Sequence, residues 1–65
     1  MRIVVNHIPH ELPALSKVSD LLQLIAAKPP YAVAVNLQFI PRTQHAHHLL
    51  AENDQVEVIA PVTGG

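Results

Sequence analysis

The stretch VSDLLQLIAAKPP, residues 18–30, is where the hydrophobic period of this chain changes. Val18, Leu21, Leu22 and Ile25 stand at i, i+3, i+4 and i+7, the spacing of one helical face. Leu24 widens that stripe, which suits a helix pressed against a sheet. Ser16 or Ser19 is placed to cap the start, and Asp20 is favourable in the first turn. Lys28 falls near the end. Pro29-Pro30 then stops the helix, because proline lacks the N–H an interior turn needs.

On either side the pattern shortens to strands. Ile3-Val4-Val5 is β-branched and bounded by Asn6, so it reads as a first strand. HIPHELPAL follows, and Pro9 and Pro13 confine any strand there to a sheet edge, with Asn6-His7 as the hairpin turn between them. Beyond the helix, YAVAVN is a β-rich run ending on Asn36. Phe39-Ile40-Pro41 is a short apolar step, and RTQHAHHLL suits a short helix or turn capped by Thr43. ENDQ is a turn. QVEVIA alternates, with Val56 and Val58 on one face and Glu57 on the other, and Pro61 ends it. The order is strand, strand, helix, strand, irregular segment, strand. It predicts an α+β domain over residues 1–60, with one main helix on a small sheet, followed by an extended segment over residues 61–65.

Size and charge exclude several functions. A 65-residue chain buries only about 60% of its unfolded surface, so one apolar core must hold it, and 49% of this chain is apolar. With no cysteine there is neither a disulfide nor a thiol nucleophile. Arg2, Lys17, Lys28 and Arg42 are scattered singly in a chain of net charge −1, unlike the basic stripe that a nucleic-acid partner requires. No apolar run approaches the roughly 18 to 20 residues of a membrane span. Asn6 and His7 come too early for a secretory signal. A cytoplasmic protein, with no nucleic-acid or membrane partner, is the expectation.

The histidines invite a metal reading. In a helix over residues 43–50, His45 and His48 would share a face with His47 nearby. No acidic or cysteine partner is positioned to complete a site, so these are read as solvated surface histidines, with no metal. A Ser/His/Asp set can be drawn from Ser16 or Ser19, Asp20 and any histidine. A triad is a geometry rather than a composition, so no catalytic residue is assigned and the chain is not read as an enzyme. Tyr31 and Phe39 are the only aromatics, and one of them is expected in the core. Arg42 reads either as an interaction residue or as an ordinary solvated charge.

The remaining feature is the final run, Ala60-Pro61-Val62-Thr63-Gly64-Gly65. Pro61, Val62 and Thr63 favour extension, and five extended residues reach on the order of 15 Å. Gly64 and Gly65 are thin enough for a narrow channel in a partner, where a Cβ would clash. The α-carboxylate, ionised at neutral pH, is a competent nucleophile toward the α-phosphate of ATP. That attack gives an acyl-adenylate, whose carbonyl then accepts sulfur or nitrogen. A frayed or cut end is the plainer reading of two glycines alone.

With these residues in view, the whole chain resembles the ThiS sulfur carriers of thiamine biosynthesis, within the ubiquitin-like β-grasp family. VSDLLQLI, VAVNLQFIPRTQH and NDQVEVIAPVTGG carry the resemblance, the second most specifically through its strand, Asn and Ile-Pro-Arg step. The resemblance implies a mixed β-grasp sheet wrapped over one helix. It also implies that Gly65 is adenylated by a ThiF-like partner related to ubiquitin-activating enzymes and converted to a thiocarboxylate, with sulfur ultimately from a cysteine desulfurase. The sulfur would pass to a ThiG-like thiazole synthase. ATP and Mg²⁺ would belong to the activating partner, and this chain would bind no cofactor. Pro61, Val62, Thr63 and Gly64 would be the recognised segment.

Two positions depart from the family pattern. Asn53 stands where Gly is often found, and Asn is the residue other than Gly best suited to a left-handed turn. Lys17 stands where Thr often begins the helix. Two rival readings share part of this pattern: the MoaD-like carrier of molybdopterin synthase, and a non-covalent ubiquitin-like interaction module. Length and the Ile-Pro-Arg step favour ThiS over MoaD. Docking through an exposed sheet face makes Phe39, Arg42 and Val58 the expected partner surface, and the free carrier is expected to be a monomer.

Overall fold

Two corners, each with asparagine first, fold the strands into hairpins. In the computed structural model, which describes residues 1–60, β1 (Arg2–Val5) turns through Asn6-His7 into β2 (Ile8–Glu11). The expectation of an extended segment over residues 61–65 lies outside the described residues. Helix α1 (Val18–Leu24) follows, then β3 (Ala32–Val35), which turns through Asn36-Leu37 into β4 (Gln38–Ile40). A short 3-10 turn (Arg42–Gln44) and a loop lead to β5 (Gln55–Ile59). Both corners hold two consecutive positive φ angles, 48° and 69° at Asn6 and His7, 50° and 68° at Asn36 and Leu37. Paired positive φ matches the right-handed twist of the flanking strands, and Asn tolerates it best among residues with a Cβ.

The strands order β2-β1-β5-β3-β4 in one mixed sheet. Strand β5 lies parallel to β1 and antiparallel to β3, while both hairpins are antiparallel. The last strand therefore sits at the centre of the sheet. Strand β2, with Pro9, is at an edge, where proline's missing donor costs no ladder bond.

The helix lies on one face. Ile3, Val5, Val33, Val35, Ile40 and Val56 point inward from the strands, and Val18, Leu21 and Leu22 meet them from α1. Leu12 and Leu50 complete this core, and Ile25 and Tyr31, partly buried, pack against it. Each buried branched side chain contributes about 1.5–3 kcal/mol, so a domain this small depends on nearly all of them.

Several details correct the sequence reading. The irregular step at Phe39-Ile40 is strand β4, with Ile40 paired to Val33 and Phe39 to Ala34. Leu24 is 55% exposed, because it stands about 110° from the centre of the helical stripe at 3.6 residues per turn. Neither serine caps the helix. Ser16 donates its hydroxyl hydrogen to the Pro13 carbonyl at 2.7 Å, and Ser19 lies inside the first turn. Asp20 does the capping instead, its carboxylate accepting the Lys17 backbone N–H at 2.8 Å. The next two donors, the N–H groups of Val18 and Ser19, reach the carbonyls of His48 and His45 at 3.0 and 2.9 Å. The loop after β4 thus satisfies the helix N-terminus. Thr43 is not a cap either, since Pro41 precedes the 3-10 turn.

At its other end α1 stops well before Pro29. Ala26 donates to Gln23 and Ala27 to Leu22, the two bonds of a Schellman motif, with Ala26 at φ 55°. The turn at Asn53 keeps the left-handed geometry expected of it, at φ 67°.

Candidate functional site

Any chemistry at residues 61–65 depends on how the fold presents the strand that precedes them. Strand β5 is held on both sides by the corner asparagines. The Asn36 backbone N–H donates to the Gln55 carbonyl at 2.7 Å, and its side-chain Oδ1 accepts from the Gln55 N–H at 3.0 Å. Its Nδ2 donates to the Asp54 carboxylate at 3.0 Å. Asn6 does the same further along: its N–H donates to the Val56 carbonyl at 2.9 Å. Its Oδ1 and Nδ2 then pair with the N–H and carbonyl of Val58 at 2.9 and 3.1 Å. The side chain of Asn6 thereby continues the β1–β5 ladder past the point where β1 has turned away. The start of β5 is further fixed by Asp54, whose carboxylate accepts the Ala51 N–H at 2.8 Å.

Among the described residues, nothing covers the sheet face opposite the helix. Pairing of Ala34 with both Phe39 and Glu57, and of Ala32 with Ile59, puts these residues on the outer face. Phe39 is 67% and Ile59 56% exposed. Val58 is on the other side. The alternation that makes Val56 a core residue turns Val58 inward, where it is half-buried against the core. Val58 therefore does not share a surface with Phe39, and the outward residues of β5 are Gln55, Glu57 and Ile59. Arg42 is exposed in the 3-10 turn after Pro41. Gly65, Gly64, Thr63, Val62 and Pro61 lie outside the described residues.

Sequence reasoning passed over Ile59, Ala34 and the asparagine clamps. Each had a signal: the alternation of QVEVIA and YAVAVN, and the recurrence of Asn directly after VV and VAV.

The histidine segment takes a different form from the one expected. It is a 3-10 turn and loop rather than a helix, and His45 is buried, not solvated. Its Nε2 donates to the Ile40 carbonyl at 3.0 Å, and its ring stacks near Tyr31, with centroids 6.0 Å apart at 23°. His47 is exposed and His48 half-buried. Among the described residues no three His, Asp or Glu side chains gather as a metal site. No helix among them is long and apolar enough to cross a membrane. In the described part of the chain, the side chains of Asn6 and Asn36 hold β5 from both sides.

Comparison with known proteins agrees with this form. The model of the ThiS family matches residues 3–65. The chain is 33% identical over 66 residues to the sulfur carrier protein ThiS of Escherichia coli (strain K12), with all of both chains covered. It superimposes on the crystal structure of the thiamine biosynthesis protein ThiS from Geobacter metallireducens with a TM-score of 0.84, at 22% identity and over all of both chains. The fold is the β-grasp.

Proposed function

The chain belongs to the ThiS family, and from that premise we propose that it carries sulfur as a thiocarboxylate on Gly65 for thiamine biosynthesis. The observation that carries the reading is that the family match runs through residue 65 and so includes Gly64-Gly65. The Gly65 carboxylate attacks the α-phosphate of ATP and pyrophosphate leaves, which activates the carbonyl as an acyl-adenylate. A persulfide sulfur of the donor system then attacks that carbonyl and AMP leaves, and a thiol reduces the resulting acyl disulfide, which frees the thiocarboxylate and leaves the donor as a disulfide. A β-carbon at Gly64 or Gly65 would crowd that carbonyl, whereas glycine leaves it open.

ATP and Mg²⁺ belong to a ThiF-like adenylyltransferase, sulfur to a system fed by a cysteine desulfurase, and the acceptor is a ThiG-like thiazole synthase. This chain acts as their protein cosubstrate. Its described residues bring no general acid, base or metal to the reaction. Their part is to hold β5 in fixed register, so that the residues after Ala60 start from a defined point. Phe39, Ala34 and Ile59 offer those enzymes an apolar face on the side of the sheet away from the helix.

Complementation tests the reading. A strain lacking its own ThiS should regain growth without thiamine when given this chain, and should not when given the chain lacking Gly65. Rescue by the Gly65 deletion would instead support a non-covalent module. Rescue of a molybdenum-cofactor defect without thiamine rescue would support a MoaD-like carrier.

A further inference from the structure

Two cationic side chains, Lys28 and Arg42, line one groove of the described surface beside α1. The groove has a volume of about 570 Å³ and lies between the C-terminal part of α1 and the 3-10 turn after β4. Lys28, Arg42, Ser19 and Gln23 supply its polar groups, and Tyr31 and His45 its rings. Lys28 and Arg42 are two of the four Lys and Arg residues in a chain of net charge −1, and no Asp or Glu lines the groove. Among the described residues the one ion pair joins the Met1 ammonium to Glu11, so neither cation is neutralised within them.

The walls are fixed by the fold. His45 is buried and held through Nε2 on the Ile40 carbonyl, and Tyr31 is stacked near it. Leu22 and Ala27 add apolar surface to its lining. Tyr31 also lines a second, smaller cleft of about 320 Å³ with Pro30, Ala32 and Ile59, a setting without charge. A basic groove and an apolar cleft thus meet at one aromatic ring. The larger volume falls within the range of about 300–1,000 Å³ that small-molecule sites occupy.

We propose that this groove binds a small organic anion, a phosphate or carboxylate carried on a flat apolar body. The guanidinium of Arg42 can offer two parallel N–H donors to such a head, and Lys28 adds a second charge. The flat body gains by covering Tyr31 toward Pro30 and Ile59. Nothing in this assignment depends on the chemistry of Gly65.

The test is titration of the full chain with phenyl phosphate, followed by ¹H–¹⁵N correlation spectra. Benzoate in a second arm distinguishes the two kinds of head. Saturable shifts confined to Lys28, Tyr31, Arg42, His45 and Ala46 are expected. The double variant Lys28→Gln/Arg42→Gln should weaken binding by about tenfold or more, as two charge-assisted contacts are lost. Arg2→Gln/Lys17→Gln, which removes equal charge elsewhere, should leave it within about twofold. Should the first double variant fail to fold, Arg42→Lys keeps the charge, loses the fork, and should still weaken binding. Equal weakening by both double variants would overturn the proposal, as would shifts without saturation at concentrations on the order of 10 mM. So would perturbation of these residues by a tetraglutamate peptide but by neither small anion, which would assign the groove to an acidic protein segment.

Discussion

The Asn6 side chain and the Val58 backbone form a two-point pair, Nδ2 donating to the carbonyl at 3.1 Å and Oδ1 accepting from the N–H at 2.9 Å. The pair spans 52 residues and ties the first corner of the chain to the last strand, three residues before Pro61. Because β1 has already turned at Asn6, this side chain stands in for the backbone that would otherwise continue the parallel ladder. Asn6→Ala removes both bonds and the residue other than glycine best suited to φ 48°. The expected cost is roughly 1–2 kcal/mol by urea denaturation. An unchanged midpoint would mean that the pair contributes nothing to holding β5.

The second clamp can be tested with charge. Asn36 Nδ2 lies 3.0 Å from an Asp54 carboxylate oxygen, so Asn36→Asp sets two carboxylates against each other. One of them should then bind its proton more tightly in the folded than in the unfolded state. Stability from such a raised folded-state pKa is present at low pH and is lost as pH rises through the folded value. The variant should be less stable than the parent by roughly 1–2 kcal/mol at pH 7. The gap should narrow as pH falls toward the ordinary carboxyl range of about 4. A gap that is constant from pH 7 to pH 4 would remove charge repulsion as its cause.

Ala26 closes α1 in a left-handed conformation that favours glycine. The Cβ penalty there is roughly 1–2 kcal/mol, partly offset by the greater freedom glycine has in the unfolded chain. Ala26→Gly should therefore stabilise the domain by about 0.5 kcal/mol or more, seen as a higher melting temperature. A lower one would show that the Ala26 methyl packs usefully.

Phe39 and Val58 separate surface from core. Phe39→Ala, on the outer face, should leave stability within about 0.5 kcal/mol while slowing thiocarboxylate formation or transfer with the partner enzymes. Val58→Ala, on the inner side, should cost about 1 kcal/mol of stability. The opposite pattern would place the docking surface on the wrong side of the sheet.

Much of this fold was legible because period survives in a short chain. The stripe of Val18, Leu21 and Leu22, the hairpin corner at Asn6 and the alternation of QVEVI each reflect a single local geometry, and each appears in the structure. Strand β4 was not legible as a strand, since three residues before a proline carry too few alternations to show a period. The burial of His45 was hidden for another reason. It depends on the Ile40 carbonyl and the Tyr31 ring, contacts that no spacing within RTQHAHHLL encodes. Residues 61–65 were read from their chemistry and from the family resemblance together, and that chemistry is only visible in a reaction.

The most direct test of the central claim is the intact mass of the chain after incubation with ATP, Mg²⁺, a ThiF-like enzyme and a sulfur donor. Sulfur carriage predicts a gain equal to one oxygen replaced by sulfur, localised to Gly65 by fragmentation. It also predicts no gain in a chain lacking Gly65 that unfolds at the same denaturant concentration as the parent. An unmodified parent chain, with neither adenylate nor thiocarboxylate after several cognate activating enzymes, would contradict it.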